Sequence, residues 1–422
     1  MAFVRSFPMT KALKTPILQN ERARQSALIR IIDICLSSMA ILILLPLWCL
    51  NILLALFCYQ YPFEIQLKYD VLKRENYLVK FSKGYLKHSL VLLQVIKGDI
   101  ALCGLPLHEG ENEFISNFKY QKAGLINVYN LRKMSGLSQI PLEETLKTQC
   151  NYNAFTYLFL VLRFLICTVL YRSNNLVSTN TISLFGVHLD NVSMKDAVNM
   201  VINSKNVIGT KVGYFVNVNS INLFKYNESL AHNINLGDMV FADGSGVRLA
   251  ARCKGCALKD NINGTDLLPL LCEESIKRKK KIFLLGAEPG LAKTAAKNLK
   301  HTHQGLQIVG THHGYFDKKN SQKIIKVINE SQANILLVGL GSPYQEHWIE
   351  ENREFLNVDI TLAVGGLFDF YSGKIPRAPL WLREIGMEWV WRLAQEPKSK
   401  FKRYVIGNPI FLLRILMNPK GV

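Results

Sequence analysis

An aspartate placed at the end of a short apolar run, with glycine close behind it, is set to offer its carboxylate to a ligand. Asp243 stands in this way, in Ala242-Asp-Gly-Ser-Gly246 after Met239, Val240 and Phe241. The apolar run predicts a buried strand, and Gly244 and Gly246 let the backbone turn sharply behind it. In an α/β sheet the carboxyl ends of the strands are where ligands bind. Asp-Gly is also an ordinary turn signal, so the flanking chain has to decide.

Metal chemistry finds little support. Cys253-Lys-Gly-Cys256 is a lone CxxC with no second pair at a suitable spacing, and no Asp-x-Asp pair occurs. The cysteines are scattered through apolar surroundings (Cys35, Cys49, Cys58, Cys167), which suits a reducing compartment rather than a disulfide framework. The expectation is an enzyme without cofactor or metal. Lys and Arg outnumber Asp and Glu by 51 to 32, a formal charge of +19, which calls for a polyanionic partner such as phosphate-bearing substrates or an anionic membrane face. Aromatic residues are not interleaved with the basic runs, so nucleic acid is not expected as a partner.

The elements that must position Asp243 are legible as alternation. Apolar runs at 182–187, 214–218, 239–241, 281–285, 307–309, 334–339 and 359–364 read as strands, and Ser193 caps a helix over 193–202. Strands alternating with helices predict an α/β fold, a Rossmann-like and mostly parallel sheet with flanking helices. The loops behind the strands are rich in glycine, yet none is G-x-G-x-x-G with an acidic partner, so a dinucleotide is not expected. They do leave backbone N–H groups at helix starts open to a diphosphate.

The 422 residues have room for two domains. Residues 1–27 read as a basic flexible arm. Residues 28–173 read as a helical, membrane-associated domain, because 34–59 carries no charge and exceeds the ~20 residues that cross a bilayer. Pro46 sits within that run, so a kinked re-entrant hairpin competes with a clean span. A second apolar block, 154–170, contains Arg163 and reads as an interfacial helix whose arginine snorkels. Residues 174–181 form a linker and 182–395 the α/β domain. Residues 396–422 form a basic amphipathic tail, read as a membrane-surface or phosphate-clamping helix against the plainer alternative of a solvated one.

From 182 to about 416 the motifs come in a fixed order. They are Leu184-Phe-Gly-Val187, Asn217-Val-Asn219, Ala242-Asp-Gly-Ser-Gly246, Asn263-Gly-Thr-Asp266 and Phe283-Leu-Leu-Gly286. Gly314-Tyr-Phe316, Gly341-Ser-Pro-Tyr-Gln-Glu346, Gly365-Gly-Leu-Phe-Asp369, Arg377-Ala-Pro379 and Glu388-Trp-Val-Trp-Arg392 follow. In these the chain resembles the WecG/TagA/CpsF glycosyltransferases. The resemblance implies metal-independent, inverting transfer of a sugar (N-acetylmannosamine-like or another hexose) from a UDP-sugar to a polyprenyl-diphosphate-linked sugar, with Asp243 as the base. It implies substrate contacts at Asn217 or its competitor Asn219, and at Asn261, Thr265, Asp266, Gly286, Gly341, Gln345 and Arg377. Arg392, Lys402 and Arg403 match the family's basic appendage over the diphosphate. Asn261 departs from the arginine common at its position. Ser399 falls where another basic residue is usual, although Lys398 and Lys400 stand beside it.

Residues 29–173 are similar, more loosely, to the bacterial sugar-transferase family of polyprenyl-phosphate phosphoglycosyl transferases. Arg30-Ile-Ile-Asp33, Lys97-Gly-Asp99, Gly104 and Gly136-Leu-Ser-Gln139 match its landmarks. The family's nucleophilic Asp-Glu pair is missing: no acidic residue lies between Tyr77 and Gly98, and Lys87-His88 fall in its place. Leu105 replaces an expected arginine. A covalent phosphosugar intermediate needs a carboxylate nucleophile, so an inactive anchor is expected. The full expectation is an enzyme of the bacterial inner membrane, catalytic domain on the cytoplasmic side, acting in exopolysaccharide, capsule or O-antigen synthesis. Membrane lipid and a second copy of the chain are further expected partners. The alternatives are a bifunctional enzyme that also primes the lipid, and a non-catalytic membrane scaffold.

Overall fold

The computed structural model describes residues 16–58, 60–70, 73–84, 86–108, 122–137, 142–149, 152–171, 176–207, 209–317 and 321–417. Most of the expected arm at 1–27, the start of the linker, and Ser138-Gln139 lie outside the described residues. Two compact units are present, Met1–Leu131 with Pro141–Leu165, and Arg132–Ile140 with Ile166–Val422. The division does not fall at the expected linker, because 132–137 and the end of the second apolar helix pack with the sheet unit.

The second unit is built on one eight-stranded sheet. Its strands are β1 Thr181–Leu184, β2 Val187–Asp190, β3 Lys211–Val216 and β4 Met239–Ala242, then β5 Lys281–Gly286, β6 Gln307–His312, β7 Ile335–Gly339 and β8 Ile360–Ala363. Their spatial order is β6-β5-β7-β8-β3-β4-β2-β1. Every pairing is parallel except β1 with β2. The run expected as one strand at 182–187 is therefore a hairpin, turned at Phe185-Gly186 where both residues have positive φ. Central strands are buried on both faces, which is why 335–339 reads as an unbroken apolar run. One core lies on each face, around Tyr214, Val240 and Trp348 on one side and Phe241, Leu268 and Leu337 on the other. The helix Met194–Ile202 begins as expected, with Ser193 and Asp196 forming a reciprocal capping box.

The halves β1–β4 and β5–β8 meet at the β3–β8 pair, and Asp243 follows the next strand, β4, at the carboxyl end of the sheet, where α/β folds hold their ligands. The tail returns to this edge. Helices Glu388–Gln395 and Pro397–Phe401 lead through a π-helical turn, Lys402–Ile406, into the helix Gly407–Met417. That last helix is not merely a solvated surface element: Phe411 and Ile415 are 1% and 2% exposed and belong to the core.

The first unit is mixed rather than purely helical. A continuous helix, Pro16–Phe57, runs through Pro46, where a kinked hairpin and a clean span were the competing expectations. It is followed by the antiparallel strands Phe63–Asp70 and Glu75–Phe81, joined by Leu107–His108. A short parallel pair, Ala101–Cys103 with Gly124–Ile126, lies beyond. Residues 27–57 and 154–171 are helices long and apolar enough to cross a membrane. Arg163 does not snorkel; it is 6% exposed and lies 5.1 Å from the Phe159 ring centre.

Candidate active site

Strand β4 ends at Ala242 and Asp243 follows it, with Asp243 N–H donating 2.8 Å to the Val216 carbonyl of β3. Gly244 then turns the chain at φ 95°, a left-handed conformation that favours glycine, into the helix Ser245–Cys253. Asn217 occupies the equivalent place behind β3. Its side-chain oxygen accepts from the N–H groups of Asn219 and Ser220 and so caps the helix Val218–Phe224. Because the oxygen is taken, the amide nitrogen faces the other way and donates to Asp243 Oδ2 at 3.3 Å. Of the two competing asparagines, Asn217 is the one whose side chain reaches Asp243; Asn219 contributes a backbone N–H to the cap.

Burial pushes the Asp243 carboxyl up to about 6. The Asn217 amide and Arg403 oppose that rise, and the negative charges of Glu388 and Asp266 add to it. Asp243 is thus a buried carboxyl at the end of a sheet strand whose ionised form is disfavoured by its surroundings.

Asn263 caps the helix Gly264–Lys277, accepting from Asp266 N–H at 2.8 Å. Asp266 pairs with Arg377 at 2.6 Å and Arg383 at 3.2 Å. Burial acts to raise the Asp266 carboxyl, but the two arginines and Asn263 outweigh it and hold it below its ordinary range. Glu388, 3.6 Å from Arg377, is raised, since burial dominates over the attraction of Arg377 and Arg383. Thr265 contributes its carbonyl to the Tyr371 hydroxyl at 2.8 Å.

A second cationic group comes from the tail. Arg392 pairs with Asp369 at 3.4 Å and Glu396 at 2.6 Å, and stacks 4.8 Å from the Phe370 ring centre. Lys400 joins it: burial lowers its ammonium, which lies within the fields of Glu396, Arg392, Arg403 and Asp369. Lys402, expected in this group, is exposed on the π-helical turn. Arg392 Nη1 and Arg403 Nε are buried and have no hydrogen-bond partner among the described residues. Tyr404 stands beside Arg403 with its hydroxyl raised, by burial first and also by Asp243 and Glu388.

The other strand ends carry the remaining expected residues. Gln345 is buried, its oxygen accepting from Gly365 N–H at 2.9 Å behind β8 and its amide donating to Glu346 at 3.0 Å. Gly341 follows β7 and accepts from Gln345 N–H at 3.0 Å. Gly286 ends β5, four strand spacings or ~19 Å along the sheet from β4. These residues line one edge without converging on Asp243. Asn261 turns inward, its oxygen accepting from Gly244 N–H at 2.6 Å.

Residues 182–421, more than half of the chain, match the glycosyl transferase WecG/TagA/CpsF family. The chain belongs to that family. It is a glycosyltransferase. Among curated proteins it is similar to the N-acetylglucosaminyldiphosphoundecaprenol N-acetyl-beta-D-mannosaminyltransferase of Bacillus subtilis, 29% identical over 188 residues, which are 44% of this chain and 72% of the relative. The enzyme of the same name from Bacillus spizizenii is 27% identical over the same shares. Against this WecG/TagA/CpsF background, Arg383, Glu388 and Tyr404 are the neighbours of Asp243 and Asp266 that motif reading did not single out as site residues. Glu388 lay inside a quoted motif, whereas Tyr404 had no spacing signal at all.

Proposed function

We propose that this glycosyltransferase moves a sugar from a UDP-sugar to a polyprenyl-diphosphate-linked sugar, with inversion and without a metal. The observation that carries the reading is the meeting of Asp243, raised to about 6, with the tail's Arg403, whose Nε has no partner among the described residues. Asp243 takes the proton of the acceptor hydroxyl, whose oxygen attacks the anomeric carbon. The bond from that carbon to the UDP oxygen breaks, and the diphosphate leaves with its negative charge facing Arg392, Lys400 and Arg403. Arg377 and Arg383, held by Asp266, give the site a second cationic group, and Asn217 sets the orientation of the base. Among the described residues no three His, Cys, Asp or Glu side chains gather to hold an ion.

The names of the two Bacillus relatives support N-acetylmannosamine as the transferred sugar and N-acetylglucosaminyl-diphosphoundecaprenol as the acceptor. The two long apolar helices support attachment to the cytoplasmic face of the inner membrane, where a polyprenyl acceptor resides. In this reading the first unit anchors the enzyme and carries no chemistry of its own. The full chain should be given UDP-N-acetylmannosamine and a short polyprenyl-diphosphate N-acetylglucosamine in detergent. Release of UDP that depends on both substrates supports the reading; release that ignores the acceptor, or none with any UDP-hexose, refutes it.

A further inference from the structure

The loop that carries Asp243 is held at three points, and two of them lead to residues outside the family match. The first point is the Asn217 amide on the Asp243 carboxylate. The second is the Asn261 side-chain oxygen, which accepts from Gly244 N–H at 2.6 Å. The third is the Ser245 hydroxyl, which donates to the Gly386 carbonyl at 2.8 Å.

Behind the second point stands Gly136. Asn261 donates its backbone N–H to the Gly136 carbonyl at 3.1 Å, and Arg248 spans from the Leu258 carbonyl at 3.2 Å to the Met134 carbonyl at 2.8 Å. Gly136 has φ 78°, and a Cβ there would stand 2.7 Å from both Asn261 N and Arg248 Nη1. Both its conformation and its closeness to Asn261 exclude a side chain. Behind the third point stand Arg132, Cys167 and Tyr171. Arg132 Nε donates to Glu384 at 2.7 Å with both side chains buried, and the Cys167 thiol donates to the Glu384 carbonyl at 3.2 Å. Gly386 is packed so tightly on the Tyr171 hydroxyl that a Cβ would come within 2.1 Å of it. A buried ion pair adds little net stability, but it fixes one arrangement of the elements it joins.

We propose that residues 132–137, with Cys167 and Tyr171, form a brace that positions the Asp243 loop, making Gly136 and Asn261 positioning residues of the transferase. The family match begins only at residue 182, so the proposal extends the catalytic machinery into sequence before it. It rests on Asp243 being the base. In this proposal Asn261 serves the loop and not the substrate.

The test uses the full chain with Gly136→Ala and Asn261→Ser, the second removing the side-chain reach that holds Gly244 while leaving the Gly136 contact in place. Turnover, KM for the donor, the pH profile and thermal unfolding are read together. Displacing a base by about 1 Å costs on the order of 10²-fold in rate, so kcat should fall at least tenfold with donor KM changed less than about threefold. The acidic limb of the pH profile should also move, because the Asp243 environment changes with the loop. Wild-type kcat and an unmoved limb in the folded variants overturn the brace; so does a loss of activity that only tracks the folded fraction. If Gly136→Ala does not fold, Asn261→Ser decides alone. Asp243→Asn run alongside separates the two readings. An inactive Asp243→Asn with fully active brace variants overturns the brace only, whereas an active Asp243→Asn removes the base and the brace with it.

Discussion

The Asn217 amide nitrogen lies 3.3 Å from Asp243 Oδ2 while the oxygen of the same amide caps the following helix. The cap fixes which way the amide points, so the carboxylate meets a donor and not an acceptor. Reversing the amide would set two oxygens against each other and leave two helix N–H groups unpaired.

Asp243→Asn keeps the size of the side chain but removes its ability to take a proton. Turnover should fall by ~10²–10⁴-fold, the usual range for a positioned base, with donor affinity nearly unchanged by calorimetry. Turnover close to wild type would transfer the role to Glu388, the neighbouring carboxyl that burial also raises.

The pH dependence follows from the same group. A base raised to about 6 is protonated below that value, so kcat/KM should decline as pH drops through about 6. The Asn217 hydrogen bond lowers the Asp243 value, so Asn217→Ala should move this limb to higher pH. Stability has the opposite sense. The folded value lies above the ordinary 3.8, so the ionised form is disfavoured in the fold, and stability is lost as pH rises through about 6. Asp243→Asn should therefore raise the unfolding temperature above about pH 6 and lose that gain near pH 4. A limb that does not move in Asn217→Ala would separate Asn217 from the base.

The tail offers a paired comparison. Arg403→Ala should cut turnover by ~10²-fold or more, as expected for removing a group that stabilises departing charge. Lys402→Ala, one residue away but exposed, should stay within about threefold of wild type, since a solvated charge contributes little. Equal losses in the two variants, measured by UDP release, would show that the clamp reads net charge and not placement.

Metal removal is the next check. Treatment with EDTA should leave activity essentially intact, because the cations that meet the diphosphate in this reading are side chains. A requirement for added Mg²⁺ or Mn²⁺ would contradict it.

The first unit supplies the fifth expectation. In the proposed reading the first unit is an anchor, so given polyprenyl phosphate and a range of UDP-sugars the chain should release no UMP, the by-product of a phosphosugar transfer to a carboxylate nucleophile. UMP release that disappears when residues 1–131 are altered would make the enzyme bifunctional.

The sheet and its ligand edge were legible because their signals are local. Ser193 with Asp196, the apolar runs of β3 to β8 and the turn at Gly244 each depend on neighbours a few residues away. The hairpin at Phe185 escaped because a two-residue turn with positive φ interrupts an apolar run without a polar break. The resemblance singled out Lys402 by motif position; that the π-helical turn leaves it exposed was not legible, because such a turn changes which side chains share a face and nothing in residue type announces it. The supports behind Asn261 were invisible for another reason. They are backbone carbonyls far away in the chain, and a carbonyl carries no residue identity.

The short helix Val218–Phe224 joins two parts of the site. Its first turn is capped by Asn217, the donor to Asp243. Its last turn receives the tail, with Asn222 donating to the Gly407 carbonyl at 2.9 Å and Arg414 to the Ile221 carbonyl at 3.3 Å. The proposed proton acceptor and the proposed phosphate clamp thus hang from opposite ends of one rigid rod, seven residues long. Any tilt of that rod would carry both together, so one common ruler would set the spacing between the proposed proton transfer and the proposed leaving-group site.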